Sequence, residues 1–316
     1  MPTIVSLYEL PEDQTRKIQE IAPDYEFKTV PIKEVTPEQI KEADILLGWN
    51  RKMEDAALES DNLKWIQAWS AGVDYFPMDR LKEKNVRLTT AGGVHAIPIS
   101  EHIFAVLLSM TRSLHANIRS QAQGVWQKDG NYGEIAGRTM AIVGTGHIGR
   151  QTAKIAKAFG MRTIGVRHSG RPEEHIDEMY KTDGIEEAFG KADVIVNILP
   201  LTDETRRFFN KDSLAYVKKG ALFINVGRGQ SVDTDALIEA LDSGRLSGAA
   251  LDVFEQEPLP EDHPLWKRDD VVITPHVAGN TDHYDERAAE IFIANLEAFV
   301  KGKELPRNLV DLDKRY

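Results

Sequence analysis

Three stretches of the chain run from β-branched residues straight into groups suited to anion binding and proton transfer. ALFINV leads into Gly227-Arg228-Gly229, GAALDVFEQEP sets Asp252 and Glu257 just past its apolar run, and VVIT with Pro275 leads into His276. Open α/β sheets keep their ligands outside the carboxyl ends of their strands, so all three fall where chemistry is expected. Each also has a plain structural role available: Arg228 as a surface charge, Glu257 as a solvated loop acid, Asp252 as a cap. Together they supply a carboxylate-binding cation, a proton donor and an acid that orients the donor. That is the equipment needed to reduce a 2-oxo acid with a nicotinamide. A carboxylate at Glu257 would favour the imidazolium form of His276.

The remaining histidines carry less. His102 and His115 sit on a helical pattern, and His95, His175, His263 and His283 lie in polar or turn-rich segments without metal-ligand spacing. There is no H-E-x-x-H, and with no cysteine a zinc site is not expected; nor is a disulfide or a thiolate nucleophile. No metal is expected.

Gly144-Thr145-Gly146-His147-Ile148-Gly149 fits G-x-G-x-x-G, follows MAIV and precedes RQTAKIAKAFG. This strand–turn–helix context makes the glycines informative. Gly144 suits a tight turn, Gly146 lets backbone approach a pyrophosphate, and Gly149 permits close helix–strand packing. The helix start offers unpaired N–H groups to phosphate. His147 would act there through its backbone. The next strand, RTIGV, ends in Arg167, His168, Ser169, Gly170 and Arg171, where NAD enzymes usually place an acid against the ribose hydroxyls. Arg167 can instead pair a 2′-phosphate, with His168, Ser169 and Arg171 as helpers. NADP, as NADPH, is therefore favoured, with NAD possible.

These groups need a frame that delivers strand ends to one place. TIVSLYEL, YEFKTVPI, DILLGW, LKWIQAW and VRLTT read as strands in the first third, alternating with helical patterns such as PEDQTRKIQEI. Residues 98–123 predict one long helix, with Pro98 in its first turn and Gly124 as its stop. TMAIVG, RTIGV, DVIVNIL, ALFINV, GAALDV and VVITP then give six strands, and TDHYDERAAEIFIANLEAFVKG a last helix. The alternation predicts an α/β protein of two Rossmann- or flavodoxin-like doubly wound parallel sheets with a cleft between them. The expected division is a discontinuous substrate-binding domain, 1–97 plus 282–316, and a dinucleotide-binding domain, 98–281.

Composition narrows the partners. The 316 residues carry 39 Lys and Arg against 50 Asp and Glu, a net charge of −11, which argues against a nucleic-acid footprint. Apolar runs such as IFAVLL fall far short of the ~20 residues of a membrane helix. With no leader or anchor pattern, a cytoplasmic protein is expected.

SAGVD (70–74), VGTGHIG (143–149), NILPLTDETR (197–206), INVGRG (224–229), ALDVFEQEPLP (250–260) and TPHVAGNT (274–281) occur in an order and spacing that resembles the D-isomer-specific 2-hydroxyacid dehydrogenase family over essentially the whole chain. The resemblance implies that Arg228 binds the substrate carboxylate and carbonyl, that His276 is the acid/base and that Glu257 pairs with it. It implies a carboxylate-holding loop at Ala71, Gly72 and Val73, and a bond from Asp252 to the nicotinamide carboxamide. Pro200, Thr205 and Val226 would line the cofactor. It also implies a homodimer formed through the nucleotide domain and the long helix, and a small 2-oxo or 2-hydroxy acid substrate. Arg167 departs from the Asp usual in NAD-using members. Within the family, phosphoglycerate dehydrogenase and glyoxylate/hydroxypyruvate reductase are both open; formate dehydrogenases are less similar, carrying Gln where Glu257 stands. Outside enzymes, a dinucleotide-sensing scaffold or corepressor can be built on the same fold.

Overall fold

The β-branched runs become short parallel strands, most of them buried, in a computed structural model that describes residues 1–73, 75–126, 128, 130 and 132–313. The chain forms two units, Met1–Val94 with Thr281–Tyr316, and His95–Asn280.

In the first unit, β1 (Thr3–Ser6), β2 (Glu26–Thr29), β3 (Ile45–Leu47), β4 (Trp65–Gln67) and β5 (Arg87–Thr89) pair in the order β2-β1-β3-β4-β5. Every pairing is parallel. Side chains alternate across a strand, so Val5, Leu46, Ile66 and Leu88 enter one core while Ile4, Ile45, Leu47 and Trp65 enter the other. The helix Tyr284–Val300 closes that second face, stacking Phe292 and Phe299 on Trp65 with ring centroids 5.0 and 5.3 Å apart.

The second unit holds β6 (Thr139–Val143), β7 (Arg162–Val166), β8 (Glu178–Tyr180), β9 (Val194–Asn197), β10 (Ala221–Asn225), β11 (Leu246–Leu251) and β12 (Val271–Ile273). They are ordered β12-β11-β10-β9-β6-β7-β8, again all parallel. The order turns back between β6 and β9, which places the ligand crevice of a doubly wound sheet outside their carboxyl ends. Ile142, Val196, Ile224 and Ala250 pack under helices Ala96–Thr111 and His147–Ala158, and Ala141, Val143, Ile195, Phe223, Ala249 and Leu251 line the opposite layer.

Two expectations are corrected. The sheet has a seventh strand, β8, whose residues Glu-Met-Tyr are exposed or half-buried; an edge strand needs no continuous apolar run. The long helix is also broken. It stops at Thr111, and a second helix spans Leu114–Ala122, because Ser113 adopts a left-handed conformation with φ 53°. The first helix buries Ile99, Ile103, Phe104, Val106, Leu107 and Met110, whereas the second buries none of its residues. Among the described residues no helix is long and apolar enough to cross a membrane.

Candidate active site

The glycine turn joins β6 to the helix His147–Ala158. Gly144 has φ 102°, and a Cβ on Gly149 would stand 2.3 Å from the Gly144 carbonyl oxygen, so neither position accepts an ordinary side chain. A Cβ on Gly146 would meet nothing within 4 Å, which leaves that face of the turn open to a ligand. No side chain caps the helix, so its first N–H groups are free for an anion. The Thr145 hydroxyl is buried without a hydrogen-bond partner. Open backbone, uncapped helix start and orphaned hydroxyl all fit the pyrophosphate of a dinucleotide. Ile148 is half-buried beneath the turn.

Burial lowers the pKa of the His147 ring, and the neighbouring Arg150 lowers it further. Its Nδ1 accepts from Arg150 Nη2 at 3.2 Å. Beyond β7, Arg167 Nη1 donates to Glu173 Oε2 at 3.1 Å, and Arg150 Nη1 lies 3.8 Å from Glu173 Oε1. The strand tip has no acid in sequence, but the fold returns one to it from six residues downstream. His168, Ser169 and Arg171 are exposed on the intervening turn, where the Arg171 N–H meets Ser169 Oγ at 3.4 Å.

The tips of β9 and β10 are joined through buried amides. Asn197 Nδ2 donates to Asn225 Oδ1 at 2.9 Å and to Ser231 Oγ at 2.7 Å, and Ser231 Oγ in turn donates to the Arg228 carbonyl at 2.6 Å. A Cβ on Gly229 would lie 1.8 Å from the Phe254 carbonyl oxygen, so this backbone approach needs glycine. The network holds the main chain of Arg228 while leaving its side chain exposed, with Nη1 bonded to the Gly227 carbonyl at 2.8 Å. Val226 is buried at the end of β10. Thr205 Oγ1 donates to the Pro200 carbonyl at 2.6 Å and closes the loop after β9.

Registers Asn225 to Leu251 and Leu251 to Ile273 make β10, β11 and β12 successive neighbours. Arg228, Asp252 with Glu257, and His276 therefore leave adjacent strands, which are spaced about 4.8 Å apart. His276 Nδ1 lies 2.8 Å from Glu257 Oε2. Burial raises the Glu257 pKa, but the His276 bond and the Phe254 N–H, 2.9 Å from Oε1, outweigh it and hold the carboxyl below its ordinary range. An acceptor-only carboxylate fixes the proton on Nδ1, which leaves Nε2 as the edge that could exchange a proton. Nε2 has no hydrogen-bond partner among the described residues, and the ring is 54% exposed.

Asp252 is buried, and its oxygens organise the His276 loop. Oδ1 accepts from Thr274 Oγ1 at 2.6 Å and Val277 N at 3.0 Å, Oδ2 from Ala278 N at 3.0 Å, and its carbonyl from His276 N at 2.8 Å. This holds His276 at φ 55°, an uncommon backbone for a histidine. Since Thr274 gives its only proton to Asp252, its oxygen accepts from His102 Nε2 at 3.1 Å. Burial pushes the His102 pKa down against the opposing Asp252 charge.

In the first unit, Ala71 and Gly72 are exposed and Val73 is buried. Ser70 Oγ donates to the Gly72 carbonyl at 2.8 Å and lies 2.6 Å from the Tyr75 hydroxyl. Trp69 donates from Nε1 to Asp285 at 2.7 Å and stacks on Tyr8. Asp74, the end of the SAGVD motif, lies outside the described residues. Sequence reasoning missed Arg150, Glu173, His102 and Thr274. Arg150 alone had a signal, its place in the first turn of the phosphate helix.

The family model for the D-isomer specific 2-hydroxyacid dehydrogenase NAD binding domain matches residues 104–278. A glyoxylate reductase from Thermofilum pendens is 36% identical over 89% of this chain and 85% of its own length. Among solved structures, a phosphoglycerate dehydrogenase from Lactobacillus plantarum is 38% identical, covering 98% of this chain and 100% of its own, with a TM-score of 0.60. An NADPH-dependent glyoxylate/hydroxypyruvate reductase from Sinorhizobium meliloti, in complex with NADP and sulfate, is 27% identical with both chains fully covered and a TM-score of 0.76.

Proposed function

Because the chain belongs to the D-isomer specific 2-hydroxyacid dehydrogenase family, we propose that it reduces small 2-oxo acids reversibly to D-2-hydroxy acids, prefers NADPH, and uses His276, Glu257 and Arg228 to do so. It is an oxidoreductase of CH–OH groups that uses a nicotinamide dinucleotide. The observation that carries the residue assignment is the His276–Glu257 contact of 2.8 Å, with the Nε2 edge open at the end of β12.

When bound, the reduced nicotinamide supplies the hydride that C2 receives. The chain's own residues do the rest. Protonated His276 gives its Nε2 proton to the oxygen on C2, and Glu257 keeps the other ring proton on Nδ1 and stabilises the cation. Arg228 holds the substrate carboxylate and offsets charge developing on that oxygen. The backbone of Ala71, Gly72 and Val73 is a further candidate for binding the carboxylate. In the opposite direction neutral His276 takes the proton back, so oxidation is favoured at higher pH. The turn 144–149 holds the pyrophosphate, Arg167 the 2′-phosphate, and Pro200, Thr205, Val226 and Asp252 the nicotinamide half.

A homodimer is part of this reading. Leu114 and Ile118, on the helix that buries none of its residues, are 52% and 55% exposed, and Trp126, four residues past the end of that helix, is 89% exposed. Apolar groups so displayed mark an association surface. Light scattering at micromolar concentration tests this, and a strict monomer would contradict it.

The experiment for the reaction is NADPH and NADH oxidation with glyoxylate, hydroxypyruvate, pyruvate and phosphonooxypyruvate, with chiral analysis of the products. A D-2-hydroxy acid is expected from at least one of the three substrates whose product is chiral, hydroxypyruvate, pyruvate and phosphonooxypyruvate. Dinucleotide binding without turnover on any 2-oxo acid would favour the scaffold reading instead.

A further inference from the structure

We propose that Glu173 is a specificity-determining residue for the cofactor, an internal anion that competes with a 2′-phosphate for Arg167 and Arg150 and that accepts the 2′-hydroxyl when the phosphate is absent. This rests on the reading of Arg167 as the phosphate-binding residue.

Glu173 presents one oxygen to each guanidinium, Oε2 to Arg167 at 3.1 Å and Oε1 to Arg150 at 3.8 Å, and is itself only 19% exposed. Two cations joined by one carboxylate form the kind of site a phosphate occupies, since guanidinium donors match carboxylate and phosphate oxygens alike. Arg150 is further fixed from the other side by His147 Nδ1 at 3.2 Å. The cluster is anchored to two parts of the nucleotide-binding frame. Arg150 and His147 stand in the first turn of the phosphate helix, and Arg167 follows β7 directly.

A 2′-phosphate reaching Arg167 must break the Glu173 contact and then sit near the displaced carboxylate, so part of its attraction is spent on that exchange. A ribose 2′-hydroxyl breaks nothing: it donates to Glu173 while the arginines stay paired. The same residue thus weakens the 2′-phosphorylated cofactor and supports the one with a free 2′-hydroxyl. Specificity is a difference of affinities, and an internal competitor changes it without touching the preferred ligand.

The test is equilibrium binding of NADPH, NADH and 2′,5′-ADP, followed by protein fluorescence or calorimetry, in Glu173→Gln and Arg167→Ala. Glu173→Gln keeps the shape and removes the charge; circular dichroism and Tm report its folding, with Glu173→Ser as a second variant should it fail. Glu173→Gln is expected to tighten NADPH and 2′,5′-ADP at least about fivefold and leave NADH unchanged or weaker. Arg150→Ala is expected to weaken only the two ligands that carry a 2′-phosphate, NADPH and 2′,5′-ADP. If Arg167→Ala weakens NADPH while Glu173→Gln leaves it within twofold, the proposal for Glu173 falls and the Arg167 reading stands. If neither substitution changes NADPH binding, both fall.

Discussion

His276 Nδ1 and Glu257 Oε2 stand 2.8 Å apart although nineteen residues separate them, because they follow the neighbouring strands β11 and β12. The carboxylate is fixed in turn by the Phe254 N–H at 2.9 Å. The ring is therefore oriented by a group that has little freedom of its own.

Glu257→Gln keeps the hydrogen-bonding shape and removes the charge that favours the protonated ring. The Glu257 carboxyl sits below its ordinary range, so in the wild type it stays ionised across neutral and mildly acidic pH and its support for the ring is lost only as pH falls through that lowered value. In the wild type, kcat for NADPH oxidation should therefore hold as pH falls until that lowered value is reached, and the variant, with no carboxylate to protonate, should show a lower kcat without that acidic fall. A superimposable profile would remove Glu257 from the pair.

Thr274→Val deletes the hydroxyl between His102 and Asp252 and leaves a buried carboxylate oxygen short of one donor. A loss of about 1–3 kcal/mol of stability is expected, together with a fall in kcat larger than any change in NADPH affinity. Thr274→Ser should restore both. Equal losses in kcat and cofactor affinity would mean the network does not act through the His276 loop.

His102 adds a pH signature. Its folded pKa is depressed, so the unfolded chain binds the proton more readily and the stabilisation is complete above the ordinary imidazole range. It is lost as pH falls below about 6.5 toward the folded value. Tm should therefore decline from pH 7 to pH 5, and His102→Gln should flatten that slope. An unchanged slope would refute it.

Much of this was open to sequence reading, for definite reasons. Parallel strands buried on both faces must be apolar throughout, so ALFIN and VIVN announce β10 and β9. β8 is hidden because an edge strand such as Glu-Met-Tyr is under no such demand. The break at Ser113 is hidden because apolar residues continue past it, although Leu114 and Ile118 turn outward. In the site, Glu257 and His276 follow strand ends and are legible from that alone. Glu173 and His102 are not. The first reaches Arg167 only through the turn after β7, and the second meets Thr274 across 172 positions of chain.

The proposed cofactor preference rests on Arg167 at the strand tip. One charge-assisted contact from Arg167 to a 2′-phosphate is worth ~1.5–3 kcal/mol, roughly 10- to 150-fold in affinity. The wild-type kcat/KM for NADPH is expected to exceed that for NADH by at least about tenfold, even with Glu173 in competition. Arg167→Asp should abolish or invert the preference through repulsion and a restored ribose acceptor. Equal efficiency with both cofactors in the wild type would refute phosphate binding by Arg167 and leave the dehydrogenase activity untouched.

The most direct measurement is the turnover of His276→Ala with the best 2-oxo acid, set beside its NADPH dissociation constant. Removing the group proposed to exchange the substrate proton should lower kcat by roughly 100-fold or more while NADPH binds as before. A kcat within about threefold of wild type would contradict the assignment of His276 as the acid/base, and with it the mechanism built on the ends of β10, β11 and β12.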